Sequence, residues 1–334
     1  MEERVYSSDS PHVLTLDESY NIQILRGLSI IAVVFIHNPP PGLSQVFCRP
    51  FLNFAVGMFL FLSGMLSNAQ KWNPKKRIAK VLIPYVLWTF AYILFDSFNT
   101  PLDIPIRFVK SLVFGNASAV MYYIFIYIEL TLLIPFIDMI SKSRCKYIVF
   151  AIPFLEIIFF RLLPVVFNYK FNLYVSNMIR LSCIGWFAFF YYGYLLGNHR
   201  ISLNGTFPQA LAVLLVCLAL QIAEGYWYHT MGSANYGTQM KITSVLTSLV
   251  FCNIGYRFII SNKKHVLKTI KILGDCSFGI FFSHIFFMNI LALIPGYQHY
   301  AFFPLKGILV LFVSTAFVFL CRLVLKKHSK YLAC

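Results

Sequence analysis

Two ionisable side chains, Arg26 and His37, lie eleven positions apart in the first long apolar stretch of the chain, NIQILRGLSIIAVVFIHN at residues 21–38. Eleven residues make about three helical turns, so a helix would carry both side chains on one face, roughly 16 Å apart along its axis. Ionisable groups at such depth are costly and usually face a cavity or the interior of a bundle. A guanidinium suits phosphate or carboxylate, and an imidazole suits general base work. We therefore predict a functional site here. The alternative is that Arg26 snorkels to lipid headgroups and His37 only ends the helix.

A second polar pair lies in the segment LGDCSFGIFFSHIFF at residues 273–287. Ser277 and His284 are seven positions apart, about two turns, and so share a helix face. We consider two roles for His284. It either assists catalysis or orients a substrate, or it is a buried histidine satisfied by a neighbouring hydroxyl. The other charges inside apolar segments we expect to stabilise the bundle by pairing; they are Glu129, Asp138, Glu156 and Arg161.

The composition is that of a membrane protein. Hydrophobic residues make up 59% of the 334 residues and charged residues 12%, whereas a soluble domain has about 25% charged residues. Apolar segments long enough to span a bilayer recur along the chain, with short polar joints between them. Lipid permits only helices or closed barrels, and these segments are about twice as long as barrel strands. The sequence therefore predicts an all-α, polytopic integral membrane bundle.

We predict about ten transmembrane helices in a single domain at residues 21–325, between an N-terminal tail at 1–20 and a C-terminal tail at 326–334. The sequence shows no internal repeat or interior linker that would indicate a second domain. The predicted helices occupy residues 22–38, 51–70, 79–98, 119–140, 147–167, 177–198, 206–224, 239–260, 272–294 and 302–325.

The positive-inside rule predicts the orientation of these helices. Sixteen Lys and Arg residues lie in alternate joints, at 71–80, 141–147, 199–205 and 261–271 and after Arg322, whereas four lie in the opposite joints. The first set is predicted to face the cytoplasm, with both termini on the same side. Because the net charge of +16 is divided among these short joints, it reflects topology, and we expect no nucleic acid partner.

Several other features are not expected. The eight cysteines show no C-x-x-C spacing and most lie in apolar segments, so we predict neither a disulfide framework nor a zinc site. The first twenty residues are polar and acid-rich, and no A-x-A-like site follows the first apolar run, so we predict no cleaved signal peptide. We also predict no bound metal and no bound cofactor.

Small residues in the second predicted helix, Gly57, Ser63 and Gly64, allow either close helix approach or a thin wall beside a ligand. The basic joint Lys75-Lys76-Arg77 follows. It either anchors the protein by the positive-inside rule or holds the phosphates of a nucleotide-like donor.

Five segments, taken together and in order, resemble the membrane acyltransferase family called acyltransferase 3. They are Arg26-x10-His37, FLFLSGM at 59–65, Lys76-Arg77 followed by Pro84-Tyr85, FFYYGYLLG at 189–197, and LGDCSFGIFFSHIF at 273–286. The resemblance extends over essentially the whole chain and includes the helix count.

The resemblance implies a bacterial inner-membrane enzyme that transfers an acyl group, typically acetyl from cytoplasmic acetyl-CoA, to a hydroxyl of a surface or lipid-linked glycan. The implied partners are thus an acyl-CoA donor substrate, a glycan acceptor and membrane lipid. His37 is implied as the catalytic histidine and Arg26 as its companion. The residues implied for the donor site are Lys76, Arg77, Ser63 and Gly64.

Two positions depart from the family pattern. The Trp-Phe or Trp-Tyr pair that often opens the fourth helix is here Met121-Tyr122-Tyr123, and the double-arginine form of the basic joint is Lys76-Arg77. Lysine is a point charge without the fork of arginine.

An acetyl thioester is already activated, so the protein must supply a base, a group that stabilises the oxyanion, and exclusion of water. We predict His37 as the base, or as a transient acyl carrier. We predict that Arg26 positions the donor or stabilises the developing negative charge. The rival function is a transporter of polysaccharide or lipid-linked glycan, which would use the same residues as substrate or proton-coupling sites. We place acceptor specificity in the outward loops 99–118 and 225–240.

Overall fold

The protein is all-helical over the residues that the computed structural model describes, 15–98, 100–258, 264–300 and 302–334. This confirms the predicted fold class. Residues 1–14 of the predicted tail and Lys263 of a basic joint lie outside these ranges. The α-helices are α1 (Leu16–His37), α2 (Ser44–Cys48), α3 (Phe54–Met65), α4 (Pro74–Asp96), α5 (Ile104–Phe114), α6 (Tyr122–Leu132), α7 (Ile134–Ser141), α8 (Ile152–Ile157), α9 (Leu163–Val166), α10 (Leu173–Leu181), α11 (Phe187–Gly197), α12 (Phe207–Thr230), α13 (Ile242–Phe258), α14 (Lys264–Asp275), α15 (Ser277–Ala292), α16 (Tyr297–Tyr300) and α17 (Leu305–Leu325).

Shorter helical turns join several of these elements. One of them, Ile158–Leu162, is a π-helical turn between α8 and α9. The others are 3-10 turns at Arg49–Phe51, Pro101–Asp103, Ile148–Ala151, Ile184–Trp186, Ala234–Gly237 and Lys326–Leu332.

The chain is a multi-pass membrane protein. Within the described ranges, seven helical spans are long and apolar enough to cross a membrane, and nine if two bent helix pairs each count as one span. Those pairs are α6 with α7, bent by 56°, and α14 with α15, bent by 79°. Pro135 at the start of α7 explains the first bend, because proline cannot continue the hydrogen bonding of α6. The predicted span 239–260 is not among these nine. It corresponds to α13, whose 17 residues are fewer than the roughly 20 that cross a bilayer.

Helix α1 begins at Leu16, earlier than the predicted residue 22, because Thr15 and Glu18 form a capping box. The Thr15 hydroxyl accepts the Glu18 backbone N–H at 3.2 Å, and the Glu18 carboxylate accepts the Thr15 backbone N–H at 2.8 Å. This exchange satisfies two backbone donors that a helix start leaves free. With this start, Arg26 lies near the middle of α1 and His37 at its far end, roughly 30 Å from the first residue.

Glycines bring α3 and α11 into backbone contact. A side chain at Gly64 would collide with the carbonyl of Phe190, and one at Gly193 would collide with the carbonyl of Phe61. Gly197, four residues after Gly193, faces the backbone of α3 in the same way. The spacing Gly193-x-x-x-Gly197 is the pattern that permits close helix approach in membranes.

A second glycine crossing joins α1 to α14. A side chain at Gly27 would meet the carbonyl of Ile270, and one at Gly274 would meet the carbonyl of Gln23. The crossing fixes α1 one residue beyond Arg26, so it also sets the position of that guanidinium.

The segment Lys326–Leu332 folds back onto the bundle. The indole N–H of Trp88 in α4 donates to the carbonyl of Leu332 at 3.1 Å. The predicted C-terminal tail is therefore attached to the helices over these residues.

The α3–α11 crossing predicts a strong effect of Gly193→Val. The added methyls would push α3 away from α11, and overpacking of this kind costs about 2 kcal/mol or more. We expect a clearly lower Tm in detergent micelles, measured as the monodisperse fraction that remains after heating. The matched control is Ala212→Val, because Ala212 lies on the exposed face of α12. An equal Tm for the two variants would contradict the close crossing.

Candidate functional site

A cavity of about 60 Å³ lies at the C-terminal end of α1. Its polar lining comes from His37, Tyr122, Tyr123 and Gln239, and the apolar remainder from Val33, Ile36, Val56, Val120 and Phe281. The Gln239 side-chain oxygen is buried and has no hydrogen-bond partner among the described residues. An apolar cavity with a few convergent polar groups is the usual form of a small-molecule site.

His284 lies directly beside His37. The two imidazole rings have centroids 5.4 Å apart and planes at 49°. His284 is fully buried, and its Nδ1 lies 2.9 Å from the carbonyl of Ile280. Because a carbonyl only accepts, Nδ1 carries the proton and Nε2 is the unprotonated nitrogen. That Nε2 is buried without a partner among the described residues. The structure thus brings together two histidines that are 247 positions apart in the sequence.

Arg26 faces a different set of polar groups, nearer the N-terminal half of α1. The groups close enough to interact electrostatically with its guanidinium are the hydroxyls of Tyr123 and Tyr127 and the carboxylate of Asp275. Asp275 is itself paired with Lys271 at 2.7 Å. Within the described part of the chain, Arg26 makes no ion pair within 4 Å. Its guanidinium is therefore free to bind an anion.

Tyr123 lies between Arg26, near the middle of α1, and His37, at the end of the helix. Its ring lines the His37 cavity, and its hydroxyl lies beside both Arg26 and Ser63 of α3. Arg26 and His37 therefore belong to one continuous polar region, even though they are roughly 16 Å apart along the helix axis.

A chain of hydrogen bonds continues from Ser63 to the basic joint. Arg77 donates to the Ser67 hydroxyl at 2.8 Å, and that hydroxyl donates to the carbonyl of Ser63 at 2.6 Å. The side chain of Lys76 is exposed next to Arg77. The structure does not bring Lys76 or Arg77 next to His37. On α3 the cavity residue Val56 lies eleven positions from Ser67, a distance of roughly 16 Å.

The structure places the remaining predicted site residues, Gly64 and Ser277, in packed positions between helices or at a helix start. Gly64 lies in the α3–α11 crossing, where the Phe190 carbonyl occupies the space beside it. Ser277 is buried at the first residue of α15, two positions after Asp275. The assignments of Gly64 to the donor site and of Ser277 to an accessory role remain predictions.

Three of the four intramembrane charges that were predicted to pair do so. Arg161 lies 3.3 Å from Glu156, and Asp138 lies 2.6 Å from Lys142. Glu129 has no ion pair in the described structure and instead accepts the backbone N–H of Cys183 at 2.7 Å.

Two polar residues around His37 were not predicted from the sequence. Gln239 lines the cavity, and Arg49 donates to the carbonyl of Ile36 at 2.7 Å while its Nε stays buried without a partner among the described residues. Arg49 was counted only as a joint charge, although a lone cation among apolar residues was a usable signal. Nothing in the sequence around Gln239 indicated its role.

The fold and the site define a multi-pass membrane protein with a polar site enclosed by helices and linked by polar groups to a basic joint. A family model described as an acyltransferase domain, that of acyltransferase 3, matches residues 19–325. The chain belongs to this family, and the resemblance seen in its motifs is confirmed. No curated protein and no solved structure matched the chain. Family membership supports membrane acyltransferase activity in general.

The contact between the histidines predicts separate effects of His284→Leu on rate and stability. Leucine fills a similar volume and removes the unpaired Nε2, so we expect the Tm to stay level or rise. Loss of the ring beside His37 should lower kcat by roughly tenfold to a hundredfold through misplacement of His37, with little change in donor KM.

The measurement is acyl transfer and Tm on the same purified samples, with His328→Leu as control because His328 is exposed near the chain end. If His284→Leu retains full kcat, His284 is only a core residue.

Proposed function

We propose that this protein transfers an acyl group, acetyl from acetyl-CoA, to a hydroxyl of a surface or lipid-linked glycan in the inner membrane of a bacterium. The observation that supports this most is the cavity lined by His37, whose ring contacts His284. A neutral imidazole at the edge of a cavity can act as a general base on a sugar hydroxyl. Family membership supplies the acyltransferase class.

In the proposed reaction, His37 accepts the proton of the acceptor hydroxyl while the hydroxyl oxygen attacks the thioester carbonyl. The tetrahedral intermediate then collapses, the carbon–sulfur bond breaks, and the departing CoA thiolate takes up the proton that His37 accepted, which returns His37 to its neutral form. Tyr122 lines the cavity, and its hydroxyl is the group assigned to stabilise the oxyanion, whereas the hydroxyl of Tyr123 lies beside Arg26 and Ser63.

Arg26 is assigned to the donor in this proposal. Its position roughly 16 Å from His37 along α1 puts the guanidinium too far away to serve the same carbonyl as the histidine. A CoA whose phosphates bind near Lys76 and Arg77 would extend its arm past Ser63 and Arg26 toward His37. The hydrogen bonds from Arg77 through Ser67 to Ser63 support this path.

The first test is acyl transfer from labelled acetyl-CoA to cell-surface polysaccharide in membranes with matched protein levels. Wild type should label the glycan, whereas His37→Ala and His37→Gln should not. Glutamine keeps a polar side chain but cannot accept the proton, and a general base contributes about 10²–10⁴-fold in rate. His328→Ala should label as wild type does.

Equal labelling by His37→Ala and wild type would remove His37 from the mechanism. Unchanged acylation in cells together with stalled glycan export in the variant would favour the transporter function.

A second test compares two lysines in neighbouring basic joints. Lys76→Ala should raise the KM for acetyl-CoA about two- to fivefold, more at low salt, because an exposed charge is worth about 0.2–1 kcal/mol and is screened by ions. Lys142→Ala removes the same charge from the 141–147 joint, but Lys142 is paired with Asp138 at 2.6 Å. Its donor KM should stay at the wild-type value. Equal effects of the two variants would mean that the basic joint only sets topology.

A further inference from the structure

An open cleft of about 580 Å³ lies apart from the His37 cavity. One wall comes from residues 160–171 and the other from residues 231–235. Its volume is within the range of sites that hold small ligands. By the predicted orientation, both walls belong to joints on the side that carries few Lys and Arg residues.

The lining of the cleft combines aromatic faces with amides and hydroxyls. Phe171 packs against Tyr169 and Phe160, with ring centroids 5.0 and 5.7 Å apart. Tyr169 is 58% exposed, so its ring is available to a ligand. The neighbouring polar groups are those of Asn168, Ser176, Ser233 and Asn235. A sugar ring has an apolar C–H face and a rim of hydroxyls, so it matches aromatic rings flanked by hydrogen-bonding groups.

Charge further narrows the ligand class. The cleft contains Arg161 and Lys170 and, among its described lining residues, no carboxylate. Arg161 uses one terminal nitrogen on Glu156 at 3.3 Å, while its Nε is buried without a partner in the described structure. The site therefore suits a neutral or anionic ligand rather than a cationic one.

The local backbone builds this cleft. Phe160 and Arg161 lie in the π-helical turn Ile158–Leu162, and such turns shift side chains off the regular helix face. After α9, Asn168 adopts a left-handed conformation with φ 49°, and the N–H of Tyr169 donates to the carbonyl of Pro164 at 2.8 Å. This is the helix-ending arrangement that Asn tolerates well. It directs the chain that carries Tyr169 and Phe171 back over α9.

The cleft and the His37 cavity are built partly from residues that lie near one another. Arg161 of the cleft interacts electrostatically with the hydroxyl of Tyr122, and Tyr122 lines the cavity. On the other wall, Asn235 of the cleft is four residues before Gln239, which also lines the cavity. The cleft and the cavity are thus linked through Tyr122 and through the segment 235–239.

From this geometry we propose that the cleft is the docking site of the acceptor saccharide, with Tyr169 as the aromatic surface on which a sugar ring stacks. The inference rests on the proposed function, because it takes the acceptor to be a saccharide. It changes the expectation for acceptor specificity: loop 225–240 contributes, while the second wall comes from residues 160–171 instead of 99–118.

The test is steady-state acyl transfer by the purified full chain in nanodiscs, using labelled acetyl-CoA and oligosaccharides released from the polysaccharide that wild type labels. Tyr169→Ala should raise the acceptor KM about tenfold, because one stacked ring contributes roughly a tenfold change in affinity. Tyr169→Phe should stay within about twofold, since the ring remains. Donor KM and acetyl-CoA hydrolysis without acceptor should not change in either variant.

Tyr174→Ala is the matched control, because Tyr174 is 75% exposed in α10 and outside the cleft lining. Its acceptor KM should equal that of wild type. An unchanged acceptor KM in Tyr169→Ala, or an equal rise in Tyr174→Ala, would overturn the cleft as the docking site while acyl transfer still stood. If wild type labels no saccharide, the proposed function and the docking site both fail.

Discussion

A guanidinium and an imidazole on one apolar helix cannot both face lipid, and this constraint determines what surrounds α1. The cost of an exposed intramembrane charge is avoided because α3, α14 and α15 contact α1 and enclose its polar face. Gly27 and Gly274 permit the closest of these contacts, backbone against backbone. The same helices line the cavity at His37, with Val56 from α3 and Phe281 from α15, so the packing that encloses α1 also shapes the site.

The bend between α14 and α15 places one polar group near Arg26 and another beside His37. Asp275, at the end of α14, interacts with Arg26, and His284, two turns into α15, contacts His37. Tyr123 of α6 lies between Arg26 and His37. Arg26 and His37 therefore each lie near a polar residue from a distant part of the sequence. In the proposed reaction, the donor would bind beside Arg26 and the chemical step would take place at His37.

Local sequence patterns predicted most of the fold and the placement of the site along α1. Helical periodicity was enough to place Arg26 and His37 on one face, and apolar length was enough to identify the spans. The contact of His37 with His284 and the role of Tyr123 depend on packing between helices far apart in sequence, which spacing alone does not encode. The early start of α1 was readable in Thr15 and Glu18, but the polar residues before Ile22 suggested a tail. Gly64 matched a ligand wall and a helix crossing equally well, and only the carbonyl of Phe190 beside it distinguishes them.

In the proposed reaction, an acyl group passes along α1 from a donor on the basic side to an acceptor on the opposite side. Proteoliposomes of uniform orientation, with the basic joints outward, labelled acetyl-CoA outside and acceptor oligosaccharide sealed inside, test this directly. We expect label on the enclosed saccharide with wild type and none with His37→Ala. Label on saccharide supplied outside, with none on the enclosed saccharide, would contradict transfer across the bundle.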